Sequence, residues 1–126
     1  MRIEKALFAV VSAALLAGCA STSITNLTPR THQRNEQNVY PVEINFNSNL
    51  RAIRRDTIKP YVQIGNENYL MRQTSVVKDR WESLIPVSKD QKLINYRIKV
   101  DFDYNSIPEP SANSVLSVPY QIRILD

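Results

Sequence analysis

Residues 94–104, INYRIKVDFDY, alternate apolar and polar side chains without a break. Successive side chains of an extended strand point to opposite faces, whereas a helix would scatter this pattern around its circumference. One face would carry Ile94, Tyr96, Ile98, Val100, Phe102 and Tyr104, and the other Asn95, Arg97, Lys99, Asp101 and Asp103. The stretch therefore predicts a long β-strand with one face in the core and the other in solvent.

The same period of two recurs on both sides of this strand. Apolar residues alternate with polar ones over 39–46 and again near 118–125. Within 60–72, two β-prone runs flank the turn-prone GNEN of 65–68, which predicts a hairpin. RWESLIPV, at 80–87, predicts a further strand between turn-like segments.

Two segments lack this pattern. Residues 47–57 are rich in arginine and are expected to form a short helical turn or crossover, and 105–114, which contain prolines, are expected to form a loop. Six or seven short strands within 39–126 predict an all-β domain, an antiparallel two-sheet sandwich of the immunoglobulin-like class. A transthyretin-like sandwich or a small barrel is the alternative, because the pattern does not give the strand order.

Residues 1–18 have the layout of an export signal. Arg2 and Lys5 lie in a charged start, and 6–16 form an almost continuous apolar run. A helix that spans a bilayer needs roughly 18 consecutive apolar residues, so this run is too short for permanent spanning. Segment 1–18 is therefore expected to be a signal peptide.

The tetrad Leu16-Ala17-Gly18-Cys19 ends this segment. It resembles the lipobox of bacterial lipoproteins. The resemblance implies cleavage before Cys19 and attachment of fatty acids such as palmitate to that residue, which would anchor the protein in a membrane of the bacterial cell envelope. Aspartate after the cysteine commonly retains lipoproteins in the inner membrane, and Ala20 in its place implies the outer membrane.

Residues 19–38 follow as a polar segment with few apolar side chains. One interpretation is a lipidated cysteine on a polar tether that leads to a sandwich at 39–126. The other places a first edge strand at 23–28, which would shorten the tether to a few residues.

The residue inventory argues against an enzyme, a cofactor and a metal site. After residues 1–18 are removed, the chain suffices for one domain and retains Gly65 as its only glycine, so no glycine-rich phosphate loop can form. His32 is the only histidine and Cys19 the only cysteine. Neither a usual zinc site nor a catalytic pair that needs both a nucleophile and a histidine base is expected, and no disulfide can form within the chain.

Asp101 and Asp103 stand two apart on the predicted strand, so their side chains would share its solvent face. Arg97 and Lys99 share that face. A glycosidase would need one of the carboxyl groups in a cleft that raises its pKa. We therefore interpret the pair as part of a solvated charge ladder and assign no catalytic residue.

The formal net charge of +4 is ordinary for a small protein. A local basic cluster consists of Arg51, Arg54, Arg55 and Lys59. No aromatic side chains are interleaved with it, as a nucleic-acid groove would require, so solvated surface is expected and nucleic acid is not a predicted partner.

Residues 61–104 resemble the immunoglobulin-like domains attached to glycan-active enzymes, in which a hairpin and a tryptophan-bearing strand precede a strand of this type. The same stretch is similar to small envelope lipoproteins of bacteria. Trp81, the only tryptophan, is expected to fill the core. If the domain binds sugar, the candidate contacts are Trp81, Tyr61 and Tyr69.

These observations predict a lipid-anchored protein of the cell envelope that binds a protein or has a structural role, without enzymatic activity. The predicted partners are the membrane, through acyl chains on Cys19, and an envelope protein. The alternative is a module that binds peptidoglycan or a polysaccharide.

Overall fold

The structure, a computed structural model, describes residues 22–126, and their regular secondary structure consists of ten β-strands. In chain order these are β1 (Thr22–Asn26), β2 (Thr31–Gln33), β3 (Val39–Ser48), β4 (Ile53–Ile64), β5 (Glu67–Leu70), β6 (Arg72–Gln73), β7 (Arg80–Pro86), β8 (Leu93–Tyr104), β9 (Ser111–Leu116) and β10 (Tyr120–Leu125). The predicted all-β class is confirmed.

Two sheets form a sandwich. The smaller has the order β1-β3-β7-β6, and the larger has the order β2-β10-β8-β4-β5 with β9 also paired to β8. The first order is that of strands A, B, E and D of immunoglobulin domains, and β10, β8 and β4 are arranged as their G, F and C. Pairing between β2 and β10 is parallel, and the other pairs within 22–126 are antiparallel. The immunoglobulin-like sandwich is therefore confirmed, with one parallel pair added at an edge.

The core lies between the sheets and follows the period of two. Its buried side chains on β3 and β8 are Tyr40, Val42, Ile44, Phe46, Ile94, Tyr96, Ile98, Val100 and Phe102. The rings of Phe46 and Phe102 lie 6.2 Å apart between their centroids and connect the two sheets. Tyr104, predicted to share this face, is only partly buried.

The domain boundary predicted at residue 39 is too late, because β1 and β2 already belong to the sheets. β1 pairs with β3, with Ile24 opposite Phe46, and β2 pairs with β10. An edge strand needs only a few apolar side chains, so a polar sequence can form one. The sandwich begins at Thr22, as in the interpretation with an edge strand at 23–28.

The helical turn or crossover predicted for 47–57 is largely wrong, because β4 begins at Ile53. The register of β4 against β8 shifts between Arg54 and Lys59. Such a bulge inserts residues that break the alternation, and this strand pattern was therefore invisible in the sequence.

The loop predicted for 105–114 and the strand near 118–125 also need correction. Ser111 already begins β9, whose small polar side chains give little alternation, and Val118 lies outside β10, exposed to solvent. The hairpin between β4 and β5 is confirmed, with a tighter turn than GNEN. Gly65 follows β4 with a φ of 56°, a conformation that glycine adopts without strain.

The two ends of the sandwich differ in their connections. At the β1 end lie the start of β1, the end of β3 and the start of β4, where Thr22 pairs with Ser48. At the opposite end, Arg34 donates hydrogen bonds to Asp126 Oδ1 at 2.6 Å, to Gln91 O at 2.8 Å and to Asn38 Oδ1 at 3.1 Å. These bonds tie the segment after β2 to the loops around it.

Candidate functional site

A shallow groove of about 720 Å³ lies along β4, β8 and β9 on the larger sheet. We call it the carboxylate groove. It is lined by Asp56, Thr57, Lys59, Tyr61, Asp101, Phe102, Asp103, Ala112, Asn113 and Ser114.

The bulge in β4 shapes one side of this groove. Between Arg54 and Lys59 the ladder to β8 is interrupted. The hydroxyl of Thr57 fills the gap, since its Oγ1 accepts a hydrogen bond from the Asp103 backbone N–H at 2.8 Å and donates one to Arg54 O at 2.6 Å. The backbone of β8 is therefore satisfied there by a side chain instead of a neighbouring strand.

The two predicted carboxylates lie side by side in the groove. Asp101 Oδ1 accepts a hydrogen bond from Ser114 Oγ at 2.7 Å and lies 3.7 Å from Lys99 Nζ. In the strand register Asp101 is opposite Lys59, and Asp103 is opposite Arg54. The alternating charges agree with the predicted ladder. They border a groove, however, where we expected an open face.

Of the three candidate sugar contacts, only Tyr61 reaches the groove. Tyr69 on β5 and Trp81 on β7 are partly buried and pack against the core, and Trp81 belongs to the smaller sheet. The structure therefore does not bring these side chains together into one stacking platform. Tyr61 lines the same groove as Asp101 and Asp103, so an aromatic side chain and acceptors for hydroxyl groups border one cavity.

The sequence did not point to a second groove of about 620 Å³, which lies between the segment after β1 and the start of β10. Its lining residues are Asn26, Thr28, Arg30, Thr31, Pro119, Tyr120, Gln121 and Arg123. Asn26 Nδ2 donates a hydrogen bond to the Tyr96 hydroxyl at 2.8 Å, and burial raises the pKa of Tyr96. Weak alternation in 22–26 was the only signal that could have placed Asn26 in a sheet.

His32 packs its ring 5.8 Å from that of Tyr40, measured between centroids, and its Nε2 is buried without a hydrogen-bond partner among residues 22–126. Burial lowers the pKa of His32. In the same part of the chain, no three His, Cys, Asp or Glu side chains are placed to hold a metal ion. His32 is thus a packing residue of β2.

His32 gives a prediction on pH. Because its folded-state pKa lies below the ordinary 6.5, the unfolded chain takes up the proton first as the pH falls. Stability should hold above about pH 6.5 and decline as the pH falls through the folded-state pKa. His32→Gln is expected to flatten that decline in urea midpoints measured from about pH 7 to about pH 5. Equal declines in variant and wild type would contradict this role.

Cys19 and the predicted signal peptide at 1–18 lie outside the described residues. Residues 22–126 contain no helix that could span a membrane. No family model matches the chain, and no curated protein matches it significantly.

Proposed function

We propose that this chain is a lipid-anchored protein of the bacterial outer membrane whose sandwich binds a protein partner or has a structural role, without catalysis. The observation that carries the proposal is the lipobox-like tetrad that ends at Cys19, three residues before β1 begins. Each buried CH₂ of an acyl chain contributes about 0.8 kcal/mol, so two or three chains anchor a protein stably.

The short spacing limits how far the domain stands from the bilayer. Three residues of extended chain span at most about 11 Å. The sandwich would therefore lie directly at the membrane surface, where a partner in or on that membrane is within reach.

Crosslinking of the intact lipoprotein in isolated outer membranes, followed by purification under denaturing conditions, tests this role. We expect one dominant protein neighbour. Its recovery should fall when the membranes are dissolved in detergent before crosslinking. Recovery of cell-wall fragments instead of a protein would favour the second candidate.

That second candidate is a glycan-binding module, and the carboxylate groove supports it. Tyr61 could stack on a sugar ring while Asp101, Asp103 and Ser114 bond to its hydroxyl groups. Pairs of aromatic rings contribute roughly 0.5–1.5 kcal/mol beyond area burial, and we take the same range for a sugar on the Tyr61 ring.

For this candidate, Tyr61→Ala is expected to weaken retention on purified peptidoglycan by about threefold to tenfold. Gln63→Ala, two residues further along β4, is the matched control and should leave retention unchanged. A wild-type protein that is not retained would remove the glycan hypothesis, and equal retention of both variants would place the site elsewhere.

A further inference from the structure

The β1 end of the sandwich is one continuous surface built from both sheets. The turn between β3 and β4 lies at its centre, where Ala52 O accepts a hydrogen bond from Asn105 N at 2.7 Å. On its other side, Arg55 Nη1 lies 3.7 Å from Asp79 Oδ1. The loops 74–79 and 105–110 therefore flank this turn. Thr22, the first residue of β1, lies beside the turn because it pairs with Ser48 at the end of β3.

The tips of these two loops carry the most exposed large hydrophobic side chains of the described chain. Ile107 is 98% exposed and Val76 is 91% exposed, whereas Val118, the next of these side chains, is 67% exposed. Neither tip packs against the core. Folding therefore gives no reason for valine and isoleucine at these positions, and together they mark a surface with apolar projections.

Basic side chains lie between the tips. Arg51, Arg54 and Arg55 are exposed in the turn and the start of β4, and Lys78 is exposed in the loop of Val76. The acidic side chains of this end are Asp56, Asp79, Asp103 and Glu109, of which Asp79 is paired with Arg55. The three arginines are concentrated at the turn, next to the start of β1.

We propose that the β1 end docks on the bilayer that holds the acyl chains, with Val76 and Ile107 in the headgroup region and Arg51 and Arg54 on anionic lipid phosphates. This inference rests on the proposed acylation of Cys19, which would hold this end within about 11 Å of its anchor. Apolar tips beside basic side chains suit the boundary between headgroups and acyl chains. A bilayer is the occupant because the anchor brings it to this surface.

Docking fixes the orientation of the domain. The opposite end, with Arg34 and the segment 88–92, would point away from the bilayer. The second groove, which lies toward that end, would stay open to the aqueous side.

Lipid contact can be measured because Cys19 is the only natural cysteine and acylation would block its thiol. Ile107→Cys and Val76→Cys each introduce one reactive thiol at a position too exposed to affect folding. The full-length variants are labelled with an environment-sensitive fluorophore and reconstituted in vesicles of phosphatidylethanolamine and phosphatidylglycerol that contain spin-labelled lipid. Val118→Cys, exposed but outside the β1 end, is the matched control.

We expect spin-labelled lipid to quench both tip labels and to leave the Val118 label unquenched. Combined Arg51→Glu and Arg54→Glu changes should reduce the quenching while the protein still floats with the vesicles. Flotation without quenching at the tips would overturn the docking and leave the anchor intact. Failure to float would contradict the anchor and the docking that rests on it. Tip labels that are shielded in intact membranes but unquenched in vesicles would indicate a protein occupant and likewise overturn the proposal.

Discussion

Replacement of Cys19 by serine is expected to abolish the proposed attachment to the outer membrane and to leave the sandwich folded. Serine lacks the sulfur that would carry the acyl chains, so the hydrocarbon that would anchor the protein could not be attached. The buried core consists of residues between Tyr40 and Ile124, far along the chain from this position. The change therefore opens no cavity in that core.

Fractionation of the envelope measures this effect. A precursor that retains residues 1–18 in the inner membrane and a soluble protein cut near Ala17 are both consistent with the loss. Ala20→Ser, which leaves the tetrad intact, is the control and should stay in the outer membrane. If Cys19→Ser also remained there, the anchor would lie elsewhere.

Replacement of Phe102 by alanine should destabilise the sandwich by about 3–5 kcal/mol. Phe102 is only 2% exposed, and its ring lies between the sheets, 6.2 Å from the ring of Phe46 between centroids. Its removal leaves a cavity that the strands on both sides of β8 cannot close without breaking their pairing. Because small domains have a total stability of about 5–15 kcal/mol, a loss of this size approaches unfolding.

Urea denaturation followed by the fluorescence of Trp81, the only tryptophan, reports this loss. Phe102→Leu retains much of the volume and should cost less, about 1–2 kcal/mol. Arg97→Ala, on the solvent face of the same strand, should change stability by no more than about 0.5 kcal/mol. A Phe102→Ala midpoint equal to that of Arg97→Ala would contradict the two-sheet core.

The strands that could be predicted are those that bury one whole face. β3 lies in the smaller sheet and β8 in the larger, and each turns one face toward the core between them. Every second position on these strands must therefore be apolar, and their burial agrees with the alternation except at Tyr104. The hairpin between β4 and β5 could also be predicted from the sequence, because its turn requires the residue types found around Gly65. In these elements the residue types required by local conformation agree with those required by burial, so the sequence alone predicts them.

The strands that the sequence left undecided, as at β1, or did not predict lie at edges or contain an irregularity. β1, β2 and β9 each bury few side chains, so backbone pairing holds them and leaves little trace in residue types. In β4, the bulge after Arg54 shifts the side chains out of phase. Such features depend on partners that are distant in sequence.

The carboxylate groove also depends on contacts between residues that are distant in sequence. The pairing of Asp101 and Asp103 on one face followed from their spacing, but the approach of Tyr61 depends on the register of β4 against β8. Trp81 is separated from Tyr61 because its strand, β7, belongs to the other sheet. Residue types were enough to predict the three candidate sugar contacts. Which of them lies in the groove depends on the strand order, which the sequence pattern does not give.

Mass spectrometry of the amino-terminal peptide of the mature protein tests the central claim most directly. Acylation at Cys19 would place the membrane anchor three residues before β1. We predict a peptide that begins at Cys19 and carries the mass of a diacylglyceryl group. A peptide that begins at Cys19 without acyl mass, or one that still contains residues 1–18, would contradict the lipid anchor and the membrane orientation derived from it.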